Sequence, residues 1–203
     1  GLNAVITSSQ KDYELPEDSD SNNVYLFNVN FSDDLNTTSQ EVEISITNVN
    51  DNDPVITSSD SFTVPENQQS VATISATDAD NDVLSFSISG LDAAAFTIAD
   101  TGNLTLNENA NFEVQNTYSL IVTVTDGLYS AASTLTVNIS DVNESPLFGA
   151  IASEISVDEN ITISFGSITA SDEDGDTLSY TLTGEDASLL NINSEGGVSF
   201  ANS

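Results

Sequence analysis

The alternation of apolar residues in this chain returns in the same phase after 93 positions. Tyr25, Phe27, Val29 and Phe31 occupy every second place, and Tyr118, Leu120, Val122 and Val124 stand 93 residues further on. Leu135, Val137 and Ile139 repeat Val42, Ile44 and Ile46 in the same way. A third pair, Leu84-Phe86-Ile88-Gly90 and Leu178-Tyr180-Leu182-Gly184, matches at an offset of 94. Period 2 in Val, Ile, Thr and aromatic residues marks half-buried antiparallel strands. A fixed long period marks a tandem array. Gly90, Gly102, Gly127 and Gly184 supply turn signals between the runs, and no segment sustains a helical period. The expected fold is all-β: tandem Greek-key β-sandwiches of about seven strands each.

The phase of the repeat divides the chain into three. Residues 55–146 make one complete unit, residues 1–54 align with its back half, and residues 147–203 align with its front half. The two fragments overlap by one strand, because Ala4–Ile6 and Val198–Phe200 both correspond to Leu104–Leu106. The first fragment also carries a longer loop, 15–23, where the complete unit has only 114–116. The joints between units share one pattern. Val49-Asn50-Asp51-Asn52-Asp53-Pro54 returns, shortened, as Val142-Asn143-Glu144-Ser145-Pro146.

Charge excludes several functions. The 203 residues hold 33 acidic side chains and a single basic one, Lys11, for a formal charge of -32. Nucleic acid and anionic membrane surfaces need a basic footprint that this chain lacks. Self-repulsion on this scale opposes compaction unless divalent cations or salt screen it. The chain contains no Cys, Met, Trp or His. Zinc, copper and haem lose their usual ligands, and Cys- or Ser-His-based nucleophiles are absent. A glycosidase needs two acids in a cleft, one beside an apolar wall. The acids here lie instead in polar loops among Asn and Ser, so an enzyme is not expected. No apolar run approaches the ~18 residues of a membrane span, and no signal peptide is evident. The chain reads as the soluble, excised middle of something longer.

Five short motifs recur in order. The complete unit has Pro65-Glu66-Asn67, Asp78-Ala79-Asp80, Asn111-Phe112-Glu113, Asp126 at a strand end, and Asp141-Val142-Asn143-Glu144-Ser145-Pro146 at its exit. The first fragment supplies Asp12-Tyr13-Glu14 and the linker that starts at Asn48; the last supplies Asp158-Glu159-Asn160 and Asp172-Glu173-Asp174. In this order and spacing the chain resembles the cadherin repeats, and in particular the cadherin-like modules of large bacterial surface proteins. The resemblance spans essentially the whole chain. It implies an immunoglobulin-like sandwich and calcium held at the joints between units, where the loops of two domains together supply six to eight oxygen ligands.

Carried over, the first joint takes Asp12, Glu14, Asn48, Asn50, Asp51 and Asn52 from above, and Asp78, Asp80 and Asp126 from below. The second takes Glu66, Glu113, Asp141, Asn143 and Glu144 from above, and Asp172 and Asp174 from below. It departs from the family pattern in a shortened linker, in Asn111 where an Asp is usual, and in the absent lower strand-end Asp, so fewer ions are expected there. Asp172-Glu173-Asp174-Gly175-Asp176 also resembles a self-contained calcium loop, but no Glu stands at its twelfth position. Glu17, Asp18 and Asp20 read as a solvated loop. Close carboxylates without a cation repel by about 4 kcal/mol per pair at an effective dielectric near 20. Joints are therefore expected to be loose without calcium and stiff with it.

The leading expectation is a calcium-rigidified stalk module of an extracellular bacterial surface protein that mediates adhesion. The alternatives are a carbohydrate-binding module and calcium-dependent homophilic adhesion. The partners expected are calcium, a surface glycan, or a second copy meeting head to tail through the half-units. This fragment is not expected to contact a membrane directly.

Overall fold

The structure, a computed structural model, describes residues 10–33, 35–150, 152, 154–160 and 164–201. Strands β1 (Val24–Ser32) and β2 (Thr37–Ser45) form a hairpin. Then come β3 (Val55–Ile56), β4 (Ser61–Pro65), β5 (Ser70–Thr73), β6 (Ala76–Thr77), β7 (Ser85–Ser89), β8 (Phe96–Ile98), β9 (Asn103–Leu106), β10 (Thr117–Thr125) and β11 (Ser130–Ser140). The chain continues through β12 (Leu147–Phe148), β13 (Gly166–Ser167), β14 (Ala170–Ser171), β15 (Leu190–Ile192) and β16 (Gly197–Phe200). Single 3-10 turns at Ala93–Ala95 and Ala187–Leu189 lead into β8 and β15. No helix among the described residues is long and apolar enough to cross a membrane. The all-β expectation holds.

Two compact units emerge. The first comprises the described residues of Gly1–Val64 with Gln68–Glu108 and Thr117–Asn138; the second comprises Pro65–Asn67, Asn109–Asn116 and the described residues of Ile139–Ser203. In the first, one layer is the sheet β4-β11-β10-β7, and the opposing strands pair as β3-β6 and β5-β9-β8. The seven strands expected for the complete unit occur as nine segments. The first strand is split into β3 and β4. The second is interrupted at Ile74, whose N–H bonds Gly102 O at 2.8 Å while Ser75 O accepts from Thr57 N at 2.8 Å. The strand changes partner there, from β9 to β3. No sequence period encodes such a switch.

Alternation on β10 and β11 places Leu120, Val122, Val124, Leu135 and Val137 in the core, opposite Ile74, Leu104 and Leu106. Burying a side chain of this size contributes about 1.5–3 kcal/mol. Phe96 closes one end edge-to-face on Tyr118, with ring centroids 5.3 Å apart. Gly102 sits at φ +81, where a Cβ would lie 2.1 Å from Ile74 O, so only glycine fits this turn.

The β1-β2 hairpin copies β10-β11 in register. Tyr25 faces Ile44 and Phe27 faces Val42, as Tyr118 faces Val137 and Leu120 faces Leu135. Its apolar face is nonetheless open, with Phe31 66% and Ile44 49% exposed. The extra loop before it is held by local hydrogen bonds and by contacts to neighbouring residues. Asp18 accepts the N–H groups of Asn22 (2.9 Å) and Asn23 (3.1 Å), and Lys11 pairs with Glu17.

The second unit repeats part of the first. Sheet β13-β16-β15 mirrors β5-β9-β8, with Gly166 facing Val198 as Ala72 faces Leu104. Pair β12-β14 mirrors β3-β6. The strand expected at Leu178–Leu182 is not formed, and residues 154–158 are likewise without strand structure. These are the counterparts of β7 and β4, whose strand partners are β10 and β11. A strand needs a neighbour to satisfy its N–H and C=O groups, and alternation alone does not provide one. The proposed overlap strand at Ala4–Ile6 lies outside the described residues.

Candidate metal centres

The first acidic cluster lies wholly within the first unit and is organised by Asp80, which is 4% exposed. Its Oδ2 accepts the linker N–H groups of Asp51 (3.2 Å) and Asn52 (2.9 Å), and its Oδ1 accepts the Asn52 amide at 3.2 Å. Asn48 donates its side-chain amide to Asp80 O at 2.7 Å. Oxygens of Glu14, Asp51 and Asp80 approach within 4.8 Å of one another, and so do those of Asp78, Asp80 and Asp82. Asp126 fixes its own loop through Oδ1, which accepts Leu128 N and Tyr129 N, both at 2.6 Å. Asp12 plays a supporting part: its Oδ1 accepts Glu14 N at 3.0 Å.

The second cluster lies wholly within the second unit. Buried Glu66 ties three segments together: its Oε2 accepts Phe112 N and its Oε1 accepts Val142 N, both at 2.8 Å. Asp174 Oδ2 accepts Glu144 N at 2.8 Å. Carboxylates meet as Glu66-Glu113-Glu144, as Glu113-Asp141-Asp174 and as Asp172-Asp174-Asp176, each set within 4.8 Å. Asn143 turns its amide onto Glu144 O at 2.7 Å. Asn111 uses its Oδ1 to accept Val114 N at 2.7 Å and directs its amide at Glu173. The linker N–H groups are distributed differently: Asp80 receives two in the first cluster, whereas in the second Val142 N goes to Glu66 and Glu144 N to Asp174.

Every donor in these clusters is an oxygen, the set that hard divalent cations take. Several oxygens are buried without a hydrogen-bond partner: Glu14 Oε1, Asn50 Oδ1, Asp78 Oδ2 and Asp126 Oδ2 in the first unit, Glu144 Oε2 and Asp174 Oδ1 in the second. An orphaned buried oxygen costs free energy, and a cation would satisfy these. Electrostatics agree. Burial and the nearby Asp80 and Asp12 carboxylates push Glu14 above its ordinary value. Burial with Glu66, Asp174 and Asp141 does the same to Glu113. Burial and Asp174 raise Asp141. Glu144 is raised too, the amide of Asn67 working against burial and Glu66. Asp80 and Asp126 go the other way. Burial opposes them, but the N–H groups they accept hold them below the ordinary range.

Of the residues expected as ligands, Glu14, Asp51, Asp78 and Asp80 come together in the first unit and Glu66, Glu113, Asp141, Glu144, Asp172 and Asp174 in the second, while Asp12 and Asn143 also make hydrogen bonds within their own loops. Asp82, which was not expected as a ligand, joins the first group. The signal was present, since Asp78, Asp80 and Asp82 repeat the i, i+2, i+4 spacing of Asp172, Asp174 and Asp176.

A family model for the cadherin domain matches residues 60–140. Among curated proteins, the chain is 30% identical over 173 residues to protocadherin Fat 4 of Homo sapiens, covering 80% of this chain and 3% of that protein. It is 38% identical over 94 residues to the Fat-like cadherin-related tumor suppressor homolog of Drosophila melanogaster, covering 45% and 2%. The chain thus spans a few hundredths of the length of these relatives. Among solved structures, protocadherin gammaB7 EC3-6 superposes with a TM-score of 0.59 at 20% identity, over 97% of this chain and 53% of that one. The chain is cadherin-like, and its residues 60–140 are a cadherin domain.

Proposed function

We propose that the chain is a calcium-binding adhesion module whose ions stiffen the segments that join its repeats. The single observation that carries this reading is the set of buried, unpartnered oxygens clustered with mutually repelling carboxylates in both units. Glu14, Asn50, Asp51, Asp78, Asp80 and Asp126 would hold calcium in the first cluster, and Glu66, Glu113, Asp141, Glu144, Asp172 and Asp174 in the second. Asn48, Asn52 and Asn143, with Asp12, would set the loops. Bound calcium supplies positive charge and inner-sphere coordination. The protein's part is to fix linker backbone to loop carboxylates, as Asp80 does with Asp51 and Asn52.

The setting that fits such a module is extracellular, in a large surface protein in which tandem repeats form a stalk. The relatives compared are animal proteins, and they give the bacterial assignment no support of their own. Catalysis has no place in this reading, and no observation favours a glycan as ligand. Calorimetric titration with calcium, repeated with Asp80→Asn and Glu66→Gln variants, tests the proposal. Saturable binding that each variant weakens at one set of sites supports it; absence of binding at neutral pH would sink it.

A further inference from the structure

The step from Glu14 to β1 takes nine residues, 15–23, where the step from Glu113 to β10 takes three, 114–116. Both steps end on an asparagine with the same backbone role. Asn23 O accepts Ile46 N at 2.9 Å, as Asn116 O accepts Ile139 N at 2.8 Å. The two differ in burial. Asn23 is 7% exposed, whereas Asn116 lies open to solvent. The carboxylates that precede them differ in the same sense, Glu14 being half-buried and Glu113 exposed.

Three segments meet at Asn23. Its Nδ2 donates to Tyr13 O at 2.8 Å, one residue before Glu14. Its backbone O takes the N–H of Ile46, two residues before the linker starts at Asn48. Its own N–H goes to Asp18 Oδ1 at 3.1 Å, while Asp18 Oδ2 accepts Asn22 N at 2.9 Å. Asn23 stands at φ +64, a left-handed backbone that asparagine adopts more readily than other side chains do. Its Oδ1 is buried with no hydrogen-bond partner among the described residues. Burying an unpartnered polar atom costs free energy, so packing alone does not favour an amide at this place. What the amide supplies is the bond to Tyr13 O.

Glu14 needs such a hold. Its carboxylate lies within 4.8 Å of those of Asp51 and Asp80, and like charges so close repel. The backbone keeps it there, through Glu14 N on Asp12 Oδ1 at 3.0 Å and through Tyr13 O on Asn23.

We propose that Asn23 is a positioning residue for the first cluster: through Tyr13 it holds Glu14 against Asp51 and Asp80, and the longer loop serves to bury and orient it. The inference rests on the reading of that cluster as a calcium site. A ligand fixed before the ion arrives is not ordered at the moment of binding, and affinity rises accordingly. The longer loop thus tunes the first cluster and leaves the second alone.

Calorimetric titration of the full chain with calcium, on Asn23→Gly, Asp18→Ala and Ser21→Gly variants, tests this, together with melting temperatures in chelator. Glycine keeps the left-handed backbone at position 23 and removes the amide. Ser21, exposed at φ +56 in the same loop, is the control for loop loosening. Asn23→Gly should weaken calcium binding at the first cluster roughly tenfold, the lower end of the range for groups that orient ligands. Asp18→Ala should weaken it less, Ser21→Gly should leave it unchanged, and all three should spare the second cluster. Wild-type affinity in Asn23→Gly overturns the proposal, and so does an equal loss in Ser21→Gly. A lower melting temperature in chelator with unchanged affinity also overturns it, since Asn23 would then support the fold alone. If Asn23→Gly does not fold, Asp18→Ala decides: a loss confined to the first cluster supports the proposal, and no loss overturns it. Absence of calcium binding by the unaltered chain would sink the reading of the metal centres, and this inference with it.

Discussion

The two acidic clusters use the same kinds of residue and differ in what already holds them together. In the first, one aspartate receives two linker N–H groups and an amide, and it lies below the ordinary carboxylate pKa range. In the second, Asp174 receives the N–H of Glu144, and three carboxylates are pushed upward by burial and by one another. Backbone braces both linkers, through one aspartate in the first and through Glu66 and Asp174 in the second, where more of the carboxylates are pushed upward. Ligand count alone therefore does not rank such sites; the donors that already compensate the charge matter as much.

Removing the ion should have the largest effect. A ligand at a thousandfold excess over its dissociation constant stabilises a fold by about 4 kcal/mol, so excess chelator should lower the melting temperature sharply, and the second cluster should loosen first. Hydrogen exchange at Val142 and Glu144 against Asp51 and Asn52 reads this out. Faster exchange in the first linker than in the second would reverse the ranking. Next come the two carboxylates that would hold calcium and also accept linker N–H groups, Asp80 and Glu66. Asp80→Asn keeps an acceptor but loses a charge, and should weaken calcium binding in the first cluster roughly 10- to 100-fold, the range found for residues that orient ligands. Glu66→Gln should do the same in the second cluster only, as followed by titration calorimetry.

Acidification divides the clusters more gently. Glu113, Asp141 and Glu144 keep protons to higher pH folded than unfolded, so without ion their effect on stability is favourable below the usual carboxylate range and is lost as pH rises through their raised values. Asp80 and Asp126 have the opposite sign: their contribution is present at neutral pH and disappears as pH falls through their depressed values. Protons compete with the cation, and although Glu14 is raised in the first cluster, three carboxylates are raised in the second, so the second cluster should release calcium at a higher pH than the first. Simultaneous release in a pH titration followed by calorimetry would erase the distinction. The smallest effect is expected from Asn111→Asp. It exchanges an amide donor beside Glu173 for a carboxylate, lowering ion-free stability slightly while raising calcium affinity a few-fold.

Much of this was legible in the sequence because strand alternation and ligand type are local properties. The hairpin at Tyr25–Ile46 and the acids Glu66, Asp80, Glu113, Asp141 and Asp174 could be read from spacing. What could not be read was dependence on absent or distant neighbours. Leu178, Tyr180 and Leu182 have the same pattern as Leu84, Phe86 and Ile88, yet only the latter run becomes a strand, because β10 lies alongside it. The partner switch at Ile74 and the loop hydrogen bonds of Asp12 and Asn143 likewise follow from which backbone group lies opposite, and composition does not carry that information.

Asp80 belongs to two carboxylate groups, with Glu14 and Asp51 and with Asp78 and Asp82; Asp174 stands in the same position in its own unit. A shared ligand makes neighbouring positions thermodynamically interdependent. An ion that orients Asp80 for one group orients it for the other, and the coupling is reciprocal. Filling should then be steep in calcium concentration and not graded, so that the module behaves as a threshold device: slack below a narrow band of calcium and taut above it.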